Sequence, residues 1–263
     1  MIVTSDKDLE GLRRAGRAAA DARDAMLAAV TPGMTTLELD RIGERILHEH
    51  GAVSAPRKMY DFPGGTCISV NRCVAHGIPG PAAVQDGDMI NIDVSAELDG
   101  YYSDTGATMV VGLPPDAFRS AAMYTKHREK LELLAACEHA LYAALAKAKA
   151  GAKLSEIGKT VWKEAQKHGY TVIRNLTGHG IGKKLHEDPS HILNYYDPKE
   201  RRLLTNGIVL AVEPFLSTGA QHVSGGDDGW ALLLPDNSLV AQFEHTVVVT
   251  DKEPIILTMS ERY

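Results

Sequence analysis

The sequence predicts an α+β protein built from two copies of a helix–helix–strand unit, with a site in the cleft where two sheets meet. Three observations carry this. Two helix-like segments followed by strand-like ones occur twice along the chain. Sliding residues 22–51 by 118 positions gives eight identities: Ala22/Ala140, Ala25/Ala143, Leu27/Leu145, Ala28/Ala146, Gly33/Gly151, Glu38/Glu156, His50/His168 and Gly51/Gly169. Composition inflates the alanine matches, and two unrelated helical hairpins are the plainer alternative; duplication is the favoured reading. The third observation is Asp99-Gly100, a two-residue hairpin signal between alternating runs.

In chain order, Ser5-x-x-Asp8 is a capping signature that opens a segment with apolar residues at Leu9, Leu12, Ala15, Ala19, Ala22, Met26 and Leu27. That spacing predicts an amphipathic helix stopped by Pro32-Gly33. A second helix is expected from Thr36 to His50, ending at Gly51. Residues 66–75, 89–98 and 101–111 are strand-like. Residues 112–120, opening GLPPDAF, form a connector. Beyond it, helices are expected at 121–149 and 154–168, split at Gly151, and strands at 170–176, 207–213, 230–234 and 239–250. No Pro/Ser-rich linker separates the halves, about 5–111 and 121–250, so residues 1–263 are expected to form a single domain.

A net charge of −6 and a pI near 6.0 leave no bulk basic footprint for nucleic acid or an anionic membrane. The cysteines, Cys67, Cys73 and Cys137, cannot all pair and show neither CxxC nor zinc-ribbon spacing, which points to a reducing cytoplasm. Met1 to Leu12 contains no apolar core of a secretory signal, and no run approaches the ~18 apolar residues of a membrane span.

The run MINIDVSAELDGYYSDTGATMVV, Met89 to Val111, carries the first chemistry. With a turn at Asp99-Gly100, Leu98 faces Tyr101 and paired positions sum to 199. Asp104 then lies opposite Ser95, and Asp93 lies two residues along on the same face. The two aspartates become diagonal neighbours, with β-carbons roughly 5–8 Å apart. Ile90, Ile92 and Val94 make the other face apolar. Strand aspartates are ordinarily solvent-exposed, but aspartate is disfavoured inside a run such as NIDVSA. Two carboxylates this close repel unless a proton or cation lies between them, and a divalent metal is the natural resolution.

Thr177-Gly-His-Gly-Ile-Gly182 sets His179 between glycines, which free φ and let the backbone approach a ligand. The string lacks the ending of a P-loop and the spacing of a dinucleotide fingerprint, so His179 reads as a metal ligand or acid–base group. His186, seven residues on in LHEDP, is not at the i, i+4 spacing of a helical HExxH site, which excludes a zincin. His76 occupies another Gly/Pro-bounded turn, AHGIPG. Glu213 ends GIVLAVEP, and Glu244 lies in the alternating strand VAQFEHTVVV. A glutamate in an apolar strand is costly unless paired or metal-bound. Either alone is equally explained by a strand-end salt bridge. Asp93, Asp104, His179, Glu213 and Glu244 together are explained at once by one buried, oxygen-rich cluster with room for two ions.

On the motifs CISVNRCVAHGIP, INIDVSAELDGYYSDTG, TGHGIGKKLHEDP, LAVEPF and AQFEHTVVVT, the chain resembles the type I methionine aminopeptidases from about Lys7 to Thr250. The resemblance implies the pita-bread (creatinase/aminopeptidase) fold, with pseudo-twofold halves around a central antiparallel sheet. It implies a dinuclear site at Asp93, Asp104, His179, Glu213 and Glu244, and makes His76 and His186 non-ligand catalytic histidines that contact substrate. It also implies a methionine pocket at Met59, Phe62, Cys67, Leu185 and Trp230, where Met59 and Leu185 replace the aromatic residues of a more familiar bacterial member. The short interval from His186 to Glu213 has no room for the helical insertion of type II enzymes. The N-terminus lacks the zinc-finger extension of eukaryotic type I enzymes, which leaves the compact bacterial form.

The activity so implied is removal of the initiator methionine from nascent proteins with a small second residue. Two divalent ions (Fe, Mn, Co or Zn) activate water, Glu213 accepts its proton, His186 stabilises the oxyanion and His76 contacts the scissile amide. The expected partner is the N-terminal methionine of a nascent polypeptide, compatible with transient ribosome contact, and the expected state is a cytoplasmic monomer with neither nucleic-acid specificity nor membrane attachment. Prolidases and proline-specific aminopeptidases share the ligand set but usually carry a further N-terminal domain. A catalytically dead relative should have lost ligands or substrate histidines, and a structural metal protein has no use for His76 and His186.

Overall fold

Ser5 opens the first helix as its motif predicts: its hydroxyl accepts the Asp8 amide at 3.2 Å, and α1 runs Asp6–Ala29. The computed structural model describes residues 1–114 and 120–260, without the side chain of Ala121; residues 115–119 of the expected connector lie outside the described residues. Leu12, Ala15, Ala19, Ala22 and Met26 are fully buried, so the apolar stripe of α1 faces inward as its spacing requires. α2 (Thr36–Glu49) is opened by a capping box in which Thr35 and Glu38 bond each other's backbone. There follow β1 (Val53–Ser54), α3 (Ala55–Tyr60), β2 (Cys67–Val70), β3 (Cys73–Ala75), β4 (Met89–Leu98) and β5 (Tyr101–Val110). The second half holds α4 (Ala121–Leu145), α5 (Ser155–Lys167), β6 (Thr171–Val172), β7 (Gly178–Gly180), β8 (Glu187–Ile192), β9 (Val209–Val212) and β10 (Phe215–Ser217). It ends with β11 (Ser224–Gly225), β12 (Leu232–Leu233), β13 (Val240–Gln242), β14 (His245–Val248) and β15 (Ile255–Ile256). Among the described residues no helix is long and apolar enough to cross a membrane.

The 118-residue offset reappears as geometry. The amide of Ala52 bonds Leu47 O at 2.9 Å, and the amide of Tyr170, its counterpart, bonds Ala165 O at 2.9 Å. Gly33 N bonds Val84 O and Gly151 N bonds Leu204 O, both at 2.8 Å. The matched glycines share left-handed backbones, with φ of +90° and +81° for Gly33 and Gly151, and +73° and +78° for Gly51 and Gly169. β1 and β6 also correspond residue for residue. Each half centres on its own core. One is mainly of α1 and α2 against β4 and β5, with Ile181, Leu185, Val209 and Ala211 reaching in from the second half. The other is mainly of α4 and α5 against β9, β10, β13 and β14, with Met89 and Val110 from the first.

The strands form antiparallel sheets in the orders β1-β4-β2, with β5 on β4; β15-β14-β9-β7-β8; β13-β10-β6; and β11-β12-β3. β5 joins the halves. Glu244 N bonds Gly106 O at 2.8 Å, Gln242 N bonds Thr108 Oγ1 at 2.9 Å, and Phe243 bridges Ala107.

Several expected strands are shorter or divided. Residues 66–75 break into β2 and β3, because Asn71 turns the chain at φ +53° and β3 joins another sheet. Residues 239–250 break into β13 and β14 where Phe243 and Glu244 bond β5 instead. Residues 170–176 and 230–234 pair over only two residues each, and 207–213 over four. The helices at 121–149 and 154–168 end earlier, at Leu145 and Lys167. β1, α3, β7, β8, β10, β11 and β15 were not expected.

The glycines around His179 have a different reason from the one expected. Gly178 and Gly180 do not adopt positive φ. They sit in β7, squeezed between β8 and β9, where a β-carbon at Gly178 would lie 2.4 Å from Ala211 O and one at Gly180 would lie 2.4 Å from Asp188 O. Gly180→Ala is therefore expected to destabilise by about 2–3 kcal/mol, as overpacking does. Urea unfolding checks it, and an unchanged midpoint would contradict the close approach.

Candidate metal centre

The acidic hairpin has the register its turn dictates: Leu98 faces Tyr101, Ser95 faces Asp104 and Asp93 faces Gly106. Ile90, Ile92 and Val94 are fully buried behind it. Asp104 is fastened from both sheets. Ser95 Oγ donates to its Oδ1 at 2.8 Å, while Thr246 Oγ1 accepts its amide at 2.8 Å and donates to its carbonyl at 2.7 Å. The Asp93 carboxyl reaches Asp104 within hydrogen-bonding range.

β7, β9 and β14 bring the other three residues. His179 pairs with Ala211 on β9. Its Nδ1–H donates to Gly180 O at 3.0 Å, the tautomer that leaves the Nε2 lone pair facing the carboxylates. Nε2 lies 3.8 Å from Asp104 Oδ2 and 3.6 Å from Glu213 Oε1. β9 and β14 pair Val212 with His245, and one further step of that register sets Glu213 opposite Glu244. Ligand atoms of Asp104, His179 and Glu244 all fall within 4.8 Å of one another, and Asp93 and Glu213 adjoin this group.

The electrostatics are those of a cation site. Burial, then repulsion from neighbouring carboxylates, raises Asp93, Glu213 and Glu244 well above the ordinary carboxylate range. Asp104 rises too, by burial, although the Ser95 bond opposes it. Burial lowers His179 to about 4, keeping the ring neutral. Glu244 points the same way: Gln242 Nε2 donates to its Oε2 at 3.1 Å, yet among the described residues its buried Oε1 has no hydrogen-bond partner. An orphaned carboxylate oxygen beside three more acids and an imidazole suits a divalent ion.

Of the remaining expected residues, His186 lies against His179, with ring centroids 4.2 Å apart and planes tilted by 48°. Burial first, then the neighbouring His179, lowers its pKa to about 4. His76 opens to solvent at the cleft and holds a left-handed backbone, φ +56°, which is strained for a residue with a side chain. Phe62 and Trp230 meet edge to face at 5.1 Å. Cys67 faces Asp93 across β2 and β4. Met59 and the buried Leu185 belong to the first half's core, where Tyr102 donates to Met59 Sδ at 3.4 Å. Sequence reading missed Tyr60, bonded to His186, as well as Thr246 and Gln242. Alternation in AQFEHT could have found Gln242, two residues from Glu244 on one strand face; Tyr60 carried no periodic signal.

Residues 10–251 match metallopeptidase family M24. The chain belongs to that family. Among M24 relatives, it is 52% identical over 260 residues to methionine aminopeptidase 2 of Bacillus subtilis (strain 168), spanning 98% of this chain and 99% of the relative. The crystal structure of methionine aminopeptidase from Rickettsia prowazekii matches with TM-score 0.88 and 35% identity, covering 98% of this chain and 100% of that one. These relatives put the chain in the bacterial type I methionine aminopeptidase group of M24. Prolidase from Pyrococcus furiosus shares the fold at TM-score 0.74 and 24% identity, with 66% of its own chain covered. As an M24 metallopeptidase, the chain takes divalent metal.

Protons and metal compete for this cluster. The folded pKa values of Asp93, Glu213 and Glu244 lie above the ~4 of an unfolded carboxylate. In metal-free protein their stabilising contribution is therefore complete below ~4 and lost as pH rises through the folded values. The Tm gap between metal-loaded and stripped protein should consequently narrow from pH 7 toward about pH 5. Calorimetry at each pH measures it, and a constant gap would refute the competition. Gln242→Leu, which removes the donor that orients Glu244, is expected to weaken metal binding about 10–100-fold. Chelator competition reads this directly, and wild-type affinity would deny Gln242 that role.

Proposed function

We propose that this chain is a single catalytic domain that removes the initiator methionine from newly made proteins with a small second residue. The observation that carries the reading is the convergence of Asp93, Asp104, His179, Glu213 and Glu244 with His186 beside them. Those five residues would hold two divalent ions drawn from Fe(II), Mn(II), Co(II) and Zn(II). When bound, the ions supply Lewis-acid activation of water and of the scissile carbonyl near neutral pH.

The chain's own groups do the rest. Glu213, its affinity for protons raised by burial and by Asp104, takes the proton of the attacking water and passes it to the leaving amine. Asp93 opens partly to the cleft and faces the substrate's free α-amine, which accounts for action at an unblocked terminus. His186 donates a hydrogen bond to the carbonyl oxygen as negative charge develops. His76, fixed by its left-handed turn, bonds the scissile amide nitrogen or the adjacent backbone. Phe62, Trp230, Met59, Cys67 and Leu185 offer an apolar lining suited to an unbranched thioether. The substrate is the N-terminal methionine of a nascent polypeptide. The protein works as a cytoplasmic monomer, with transient ribosome contact and neither nucleic-acid specificity nor membrane attachment.

The test strips metal with a chelator, restores ions singly, and assays Met-Ala-Ser and X-Pro peptides. Met-Ala-Ser cleavage should vanish and return with metal, while X-Pro peptides stay intact; full activity after stripping sinks the mechanism, and X-Pro cleavage moves the chain to the prolidases. Glu213→Gln should lower kcat about 10²–10⁴-fold. Wild-type turnover in that variant would remove Glu213 from proton transfer.

A further inference from the structure

The hydroxyl of Tyr60 lies 2.7 Å from Nδ1 of His186, and the rings stand 5.6 Å apart. Tyr60 ends α3, and the next residue, Asp61, closes that helix in a left-handed conformation at φ +57°. This backbone turn holds the phenol against the rim of the cleft. Among the described residues, Tyr60 is the hydrogen-bond partner of His186. Nε2, across the ring from Nδ1, is left clear of Tyr60, and the imidazole as a whole lies 4.2 Å from the ring of His179 and within the electrostatic reach of Asp104.

A neutral imidazole carries one N–H, and which nitrogen bears it is set by the bond the other nitrogen makes. With the proton on Nδ1, the Tyr60 oxygen would have to accept from the ring and its own O–H would lose this partner. A phenol donates more readily than it accepts, so the pair is best satisfied with Tyr60 O–H donating to Nδ1 and the ring proton on Nε2. We propose that Tyr60 is a positioning residue that locks His186 in its Nε2–H tautomer, turning an N–H toward the substrate carbonyl. This rests on the role given to His186 above. Tyr60 acts through His186 and takes no proton itself.

Tyr60 is 41% exposed, so Tyr60→Phe keeps the ring contact and leaves the core untouched. In zinc-loaded protein carrying ¹⁵N-histidine, His186 should show an unprotonated Nδ1 and a protonated Nε2 in the wild type and mixed tautomers in Tyr60→Phe. kcat for Met-Ala-Ser should fall about tenfold in that variant, with KM within about twofold and Tm unchanged. Wild-type turnover, or an unshifted His186 signal, overturns the proposal. In a His186→Ala background, Tyr60→Phe should cost nothing further; an additional tenfold loss would put Tyr60 on the substrate itself and overturn a role through His186. Wild-type turnover in His186→Ala alone overturns the role of His186, whereas an inactive His186→Ala beside a fully active Tyr60→Phe overturns Tyr60 alone.

Discussion

Like-charge repulsion among Asp93, Asp104, Glu213 and Glu244 is the constraint to which much of the fold answers. Left to themselves, four acids would spread toward solvent. Here each is fixed by backbone pairing before its side chain meets the others. Asp93 and Asp104 are held by a ten-residue hairpin ladder, and Glu213 and Glu244 by the end of a strand pair. Side-chain bonds from Ser95 and Gln242 use up some carboxylate oxygens and leave others aimed inward. The repulsion is converted into affinity for a cation, because the geometry cannot relax without breaking strand pairing.

Duplication supplies the place where this can happen. Two helix–helix–strand halves, each with its own core, meet along β5, where Gly106, Ala107 and Thr108 bond the chain at Gln242, Phe243 and Glu244. A symmetric scaffold thus acquires an asymmetric site. The first half gives the two aspartates, and the second gives the histidine and both glutamates.

How much of this could be read beforehand differed by residue. The hairpin was readable to the residue, since Asp99-Gly100 sets the register and period-2 alternation sets the face. The repeat was readable through Gly33/Gly151 and Gly51/Gly169, because a left-handed turn leaves a glycine behind. β7 was not, since Gly-His-Gly looks like a loop when judged by propensity, and only tertiary crowding between β8 and β9 explains it. The break at Phe243 and Glu244 was hidden for a related reason: an alternating run does not reveal that its middle bonds a third strand. The metal-type residues were all proposed from the sequence. Tyr60 was not, because a contact between residues 126 positions apart leaves no local trace.

The double fastening of Asp104, to Ser95 within the hairpin and to Thr246 across the seam, has a consequence for how the chain holds together. Asp104 is at once a charge and a rivet. Any hinge motion that parted the halves would pull its backbone from Thr246 while drawing its carboxylate away from His179 and Glu244. Opening the seam and emptying the site are then one event, so an ion bound there raises the cooperativity of the whole chain, and two lobes that each own a core behave as one mechanical body.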